Sequence, residues 1–283
     1  MSYPAIAPVN GSKCSGSQEK LQLTHLGLNF TKVIHSKTYP AIDPTTRSNH
    51  SGHAVFITGA SSGIGLATAH SYAKAGASHI GLASIDTFPS GIVETLRNAA
   101  KSGNHPEPNI LIAYLDVLNQ NSIEDSVSKI GATFKKLDIL VNCAGYMPPA
   151  ATISSSDDEE YWRNFEVNLR GTYRVTKSFL PLLLENSDGL KTVINFSSIA
   201  AHNLRSEYSA YGISKYAILR FTEFLMAENG DAGLVAYCMH PGAIMTKLAE
   251  RMPASALAGK QSCYIRESEA NENRIKGYAG DGC

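Results

Sequence analysis

The stretch from His53 to Gly65 constrains this chain most. His53 to Thr58 (HAVFIT) is a short, uninterrupted apolar run, the pattern of a strand covered on both faces. It runs into Thr58-Gly59-Ala60-Ser61-Ser62-Gly63-Ile64-Gly65, after which small and apolar residues recur at helical spacing from Ile64 to Ala75. Glycines at 59, 63 and 65 remove the side chains that would keep the backbone of this turn away from a ligand. The helix that follows aims N–H groups and partial positive charge back at the turn, an arrangement that suits a phosphate. A strand–turn–helix of this kind belongs in a parallel α/β sheet with right-handed crossovers.

The pattern continues in the same rhythm. His79 to Ala83 reads as a second strand, Ile92 to Ala100 as a helix, Ile110 to Leu115 as a strand and Ile123 to Phe134 as a helix. Ile139 to Val141 is a strand, and a long helix runs from the acidic stretch Asp157 to Glu160 through Asn168 to about Leu184. Thr192 to Ser197, Tyr208 to Glu228 and Leu234 to Met239 complete the alternation as strand, helix and strand. Six strands alternating with helices predict an α/β fold with a Rossmann-type, doubly wound parallel sheet. The carboxylates of Asp157 to Glu160 fit a solvated first helical turn facing the positive end of the dipole. Residues 1–52, broken by Pro4, Pro8, Pro40 and Pro44, read as an irregular arm docked around Phe30 to Tyr39. Residues 53–252 read as one domain organised around that ligand-binding turn. Residues 253–283 form an atypical tail whose isolated apolar residues cannot make a buried central strand.

Composition narrows the partners. The chain has 283 residues and zero formal net charge, which gives no reason to expect nucleic acid or an anionic membrane. No apolar run approaches the ~20 residues of a membrane span, and the first residues lack a signal-peptide core. Cys14, Cys143, Cys238, Cys263 and Cys283 are scattered and never paired as CxxC. That argues against a disulfide framework or a metal site and fits the reducing cytoplasm.

Tyr211-Gly212-Ile213-Ser214-Lys215 places a phenol and an ammonium four residues apart, on one helical face. A phenol of pKa near ~10 is a poor proton donor or acceptor at neutral pH, and an adjacent ammonium favours its ionised form. Taken with the TGxxxGxG spacing of the first turn, this pair resembles the short-chain dehydrogenase/reductase family. The further matches fall in that family's order. Asp116-Val117 follows the third strand. Asn142-Cys143-Ala144-Gly145 follows the fourth and resembles NNAG, with Cys in the second place. Pro241-Gly242-Ala243-Ile244-Met245-Thr246 follows the sixth and matches PGxxxT.

The resemblance implies a nicotinamide dinucleotide held by Thr58, Gly59, Ser61, Ser62, Gly63, Ile64, Gly65, Asp116, Val117, Asn142, Ala144, Gly145, Pro241, Gly242, Ile244 and Thr246, with Tyr211 and Lys215 at its nicotinamide ribose. It implies a catalytic set of Asn168, Ser198, Tyr211 and Lys215, without a metal. Ser198, thirteen residues before Tyr211, would bind the substrate carbonyl, and Asn168 would hold a water in a proton relay through Lys215. Ser197 would point to the other side of the strand and be structural. The expected reaction is hydride transfer between the cofactor and a small carbonyl or alcohol substrate, with Tyr211 as acid or base.

At the end of the second strand, Ser84 is neither acid nor base, which favours NADP over NAD; Asp86 lies two positions later. Tyr146 to Pro149 and His202 to Glu207 lie where the family shapes its pocket, and point to a partly apolar substrate. The stretch from Phe30 to Ile42 resembles a subgroup common in filamentous fungi that often serves secondary metabolism. Members of the family commonly pair through the C-terminal region that residues 253–283 replace here, so a homo-oligomer is the expected but less secured state. That tail also keeps open a dinucleotide-binding regulator or a decayed enzyme, without turnover.

Overall fold

The computed structural model describes residues 38–242, 244–252 and 265–266. Six strands form: β1 (Ala54–Thr58), β2 (His79–Ser84), β3 (Asn109–Tyr114), β4 (Ile139–Asn142), β5 (Thr192–Phe196) and β6 (Val235–Met239). They lie in one parallel sheet in the order β3-β2-β1-β4-β5-β6. The order reverses at β1, so the crevice between the β1 and β4 ends is where such a sheet takes its ligand.

Alternation along the central strands feeds two apolar layers. Phe56, Leu140 and Val193 face one, with Phe179 stacked on Phe56 at 4.5 Å. Val55, Ile57, Leu82 and Val141 face the other. Helices α2 (Gly63–Lys74) and α3 (Ile92–Ser102) cover the second layer, and α4 (Gln120–Phe134), α6 (Thr172–Leu184) and α7 (Ser209–Asn229) the first. With both faces covered, all five residues of β1 are buried, which is why the strand reads as an unbroken apolar run.

In the described part of the stretch through residue 52, irregular chain is broken by a single helical turn, α1 (Pro44–Arg47), which starts where Asp43 accepts a hydrogen bond from Thr45 N at 2.9 Å. Pro44 suits the first helical position because its missing N–H would have no intrahelical partner there. The segment is fastened by His50 N to Ala75 O and Gly52 N to Ser78 Oγ, both 2.7 Å. The contact expected at Phe30 to Tyr39 lies outside the described residues up to residue 37.

The long helix expected through Asn168 is interrupted. Helix α5 (Asp158–Phe165) gives way to a π-turn over Glu166–Gly171 before α6 begins. The wider turn takes in one extra residue. Gly171 there packs so closely on Val117 that a Cβ would lie 2.6 Å from its Cγ2. Thr172 donates its hydroxyl to Asn168 O at 2.8 Å, satisfying a carbonyl in the widened turn.

Beyond Met239, β7 (Ile244–Met245) pairs in parallel with β8 (Ile265–Arg266) outside the main sheet. Among the described residues the six-stranded sheet ends at β6, where Tyr237 and Met239 are exposed. The rest of the expected tail lies outside the described residues. No described helix is long and apolar enough to cross a membrane.

Candidate active site

The turn after β1 has the geometry its glycines require. Gly59 has φ +63°, and a Cβ on it would sit 2.8 Å from Ala144 Cα; one on Gly65 would sit 2.3 Å from Gly59 O. Ser62 enters α2 in an extended conformation, and its own side chain makes no capping hydrogen bond. These cramped glycines, placed at the start of a helix, fit the pyrophosphate of a dinucleotide. Ile64 stands half-buried in that first turn. Ser61 Oγ is 2.9 Å from Ser84 Oγ, which also accepts from Asp86 N at 3.1 Å. The end of β2 therefore presents a buried hydroxyl pair, and Asp86 is exposed.

Several expected cofactor residues brace the cleft from beneath. Thr58 is buried, and its Oγ1 accepts from Cys143 N at 3.1 Å and Ala144 N at 3.2 Å. Asn142 is buried too, donating to Thr176 Oγ1 at 2.9 Å and Asn195 Oδ1 at 2.8 Å. Asp116 accepts from Leu118 N at 2.9 Å, and Val117 packs in the core. Gly145 is exposed at the mouth, within 4 Å of Asn168, Lys215 and Leu248 once a Cβ is placed on it. Pro241 and Ile244 are half-buried and Gly242 exposed. They carry the chain to Thr246, whose methyl comes within 3.1 Å of where a side chain at Gly63 would begin.

Ser198, Tyr211 and Lys215 meet at the C-terminal end of β5. Ser198 lies two residues past the strand and hydrogen-bonds the Tyr211 phenol. Ser197 is turned away, donating to Lys215 O at 2.8 Å. Lys215 Nζ donates to Phe196 O at 3.0 Å and stands 5.6 Å from the Tyr211 ring centroid.

The expectation that Lys215 draws the phenol's pKa down is not met in this arrangement. Burial pushes Tyr211 up to about 12, with the Ser198 hydrogen bond only partly offsetting it. Burial likewise brings Lys215 down to about 8, against the pull of the neighbouring Cys143 and Cys238. The physical reason is depth: desolvation penalises phenolate and ammonium alike. At neutral pH the phenol keeps its proton.

Asn168 is buried in the π-turn, with its amide nitrogen among Tyr146 O, Asn164 Oδ1 and Ser214 Oγ at 2.9, 2.9 and 3.1 Å. Its Oδ1 accepts from Tyr146 N at 2.8 Å. The amide's two hydrogens are thus taken by protein acceptors.

A cavity of about 280 Å3 opens before Tyr211. Met147, Pro148 and Pro149 form one wall, as their position implies; of the stretch from His202 to Glu207, Glu207 alone lines it. The sequence reading missed the opposite side. Asp157 caps α5 through Glu160 N at 3.0 Å, yet Asp157 and Glu160 also line the cavity. Glu160 accepts the Tyr146 hydroxyl, and the guanidinium groups of Arg163 and Arg251 stand 5.5 and 5.1 Å from the Tyr146 ring centroid. Arg251 also donates to Met147 O at 3.3 Å. No local pattern marks these residues, because the loop and the segment after β7 bring them together. No group of metal-ligating side chains occurs among the described residues.

The family model for short chain dehydrogenase matches residues 53–256, so the chain belongs to the short-chain dehydrogenase/reductase family and is an oxidoreductase of that type. It is similar to short chain dehydrogenase mpl6 of Monascus purpureus, 40% identical over 235 residues, covering 82% of this chain and 78% of that one. It is similar as well to short chain dehydrogenase pigC of Monascus ruber, 41% identical, covering 76% and 69% of the two chains. A short-chain type dehydrogenase/reductase from Mycobacterium ulcerans superposes with TM-score 0.67 at 25% identity, over 80% of this chain and 83% of that one.

Proposed function

We propose that the protein reduces the carbonyl group of a compact, partly apolar small molecule at the expense of NADPH. The observation that carries this reading is Tyr211 lining an apolar-walled cavity, with Ser198 at its phenol and buried Lys215 behind it. A nicotinamide dinucleotide bound along Gly59–Gly65 and Thr246 supplies the hydride. Ser198 and Tyr211 take the carbonyl oxygen between their hydroxyls. Tyr211, protonated at neutral pH, gives its proton as negative charge develops on that oxygen. Lys215, whose lowered pKa lets it exchange protons near neutrality, restores the phenol. Asn168 fixes the loop that faces them.

The neutral Ser61–Ser84 pair at the end of β2 supports NADPH over NADH, since a carboxylate there would meet the ribose 2′-hydroxyl and repel a phosphate. The Monascus relatives and the resemblance of residues 30–42 to a filamentous-fungal subgroup support a place in secondary metabolism.

Titration with NADPH and then NADH, followed by fluorescence, tests the cofactor; a panel of ketones and aldehydes tests turnover. Tyr211→Phe should bind NADPH as the native chain does and lose turnover by about 10³-fold. Unchanged turnover removes Tyr211 from its role. Cofactor binding without turnover by the native chain favours a regulator instead.

A further inference from the structure

Asn164 lies one helical turn before Asn168, and none of its side chain reaches solvent. An amide placed that deep is costly unless every donor and acceptor is matched. Its Nδ2 donates to Ala210 O at 2.8 Å, and its Oδ1 accepts from Asn168 Nδ2 at 2.9 Å. Ala210 sits in the first turn of α7, immediately before Tyr211.

The hydrogen-bond logic runs in one direction. A backbone carbonyl only accepts, so Asn164 must turn its NH2 towards Ala210 and its oxygen towards Asn168. Asn168 must then present its own NH2 to that oxygen, which leaves its Oδ1 for Tyr146 N. The same NH2 of Asn168 meets Ser214 Oγ, which itself donates to Tyr211 O at 2.8 Å. One carbonyl beside Tyr211 thereby sets the orientation of two buried amides and of the backbone at Tyr146, where the cavity loop begins.

We infer that Asn164 is a positioning residue for the reaction: it locks the rotamer of Asn168 and ties the loop at Tyr146 to the turn that carries Tyr211. This rests on the reductase reading above, since its kinetic expression requires turnover. The geometry gives it a role that hydrophobic filling of the same space would not supply, because a Leu at 164 leaves Ala210 O without its second donor and the Asn168 amide free to flip.

Asn164→Ala and Asn164→Asp test it together. The small Ala side chain leaves room without imposing a new shape; kcat should fall about tenfold, with the KM for NADPH unchanged, since a slight misplacement of reacting groups acts on the chemical step. Asn164→Asp in its neutral form can donate to Ala210 O and accept from Asn168, but its carboxylate cannot donate. Its kcat should match the native value where the acid is protonated and the Ala value where it is ionised, a pH dependence that the native chain lacks. Hydrogen exchange supplies a readout without turnover: the Tyr146 N–H should exchange about tenfold faster in the Ala variant, as expected for loss of a buried partner. Ala with native kcat and native Tyr146 protection overturns the inference. So does an Asp variant that tracks Ala at every pH. A native chain that turns over no carbonyl defeats the functional reading alone, and the exchange experiment still decides the role of Asn164.

Discussion

The two ends of the sheet bury polar groups in opposite ways. At the N-terminal end, Asp138 is almost wholly buried, yet both its oxygens are taken: Ala54 N at 2.7 Å, Asn186 Nδ2 at 2.9 Å, and Lys136 Nζ at 3.8 Å. At the C-terminal end, the ammonium of Lys215 is nearly as deep and has one carbonyl, that of Phe196, for its three donors. Asp138 joins three segments of chain and has partners in excess. Lys215 and Tyr211 are short of partners for their charged forms, and burial moves both pKa values towards neutrality of the group. A surplus of partners makes a joint, and a deficit leaves a proton ready to move.

The strongest way to break this comparison is Lys215→Met. Turnover should fall by at least about 100-fold. The cofactor-free protein should nonetheless become more stable near pH 7, by on the order of 1 kcal/mol, because a poorly compensated buried charge is replaced by a side chain that packs. The sign follows from linkage. The folded-state pKa of about 8 lies below the ordinary 10.5, so between those values the unfolded chain binds the extra proton and native stability rises with pH. The advantage of the Met variant should therefore shrink across that window. Thermal melts from pH 6 to pH 10 read it; a Met variant less stable than the native chain at pH 7 would show Lys215 to be a joint after all.

Asp138→Ala should do the reverse. It strands Ala54 N and the Asn186 amide and should cost about 3 kcal/mol, with kcat of the folded fraction within about twofold of native because nothing at the other end of the sheet moves. Urea unfolding and kinetics on the same preparation separate the two. A kcat loss without a stability loss would erase the distinction between the ends.

The smallest effect sharpens the N-terminal end. His50 and His79 are both held below the ordinary histidine pKa, chiefly by burial, helped by His53 at His50 and by Lys136 at His79 and opposed at both by Asp138. His50 also packs edge-on against Tyr72 at 5.0 Å. Below pH ~6.5 the unfolded chain protonates these rings first, so stability should drop as the pH falls through that value, by about 1 kcal/mol or less. His50→Phe should flatten the difference between urea midpoints at pH 7.5 and pH 5.5. An unaltered slope would assign the pH dependence elsewhere.

What was legible in the sequence is what is local. The β1 run, the glycines from 59 to 65, and Tyr211 four residues before Lys215 carry their geometry in their spacing, and the structure sets them together. The cavity's far side was not legible, because Arg251 reaches Met147 across 104 positions and Glu160 meets Tyr146 only once a loop has folded. Nor could spacing show how deep Lys215 lies, and depth decides its pKa. Asn164 left a faint trace. With Asn168 it puts two poor helix formers four apart on one helical face, which calls for buried partners without naming them. The π-turn was hidden too: its Gly171 packs against Val117 from another part of the chain, a contact that no local spacing announces.

Thr58 has a consequence for how such a chain tolerates change. Its hydroxyl receives the N–H groups of Cys143 and Ala144 together, so the phosphate-side turn and the turn after β4 are clamped by one atom. Beyond that clamp Tyr146 is tied back to Asn168, and the stretch from Met147 to Asp157 forms the loop along the cavity. Insertions or exchanges in that loop can reshape the cavity while the cofactor cleft keeps its register, which makes the loop a replaceable fitting on a fixed mount. On the function proposed above, recombining this loop between relatives is then a route to new substrates that keeps the reaction.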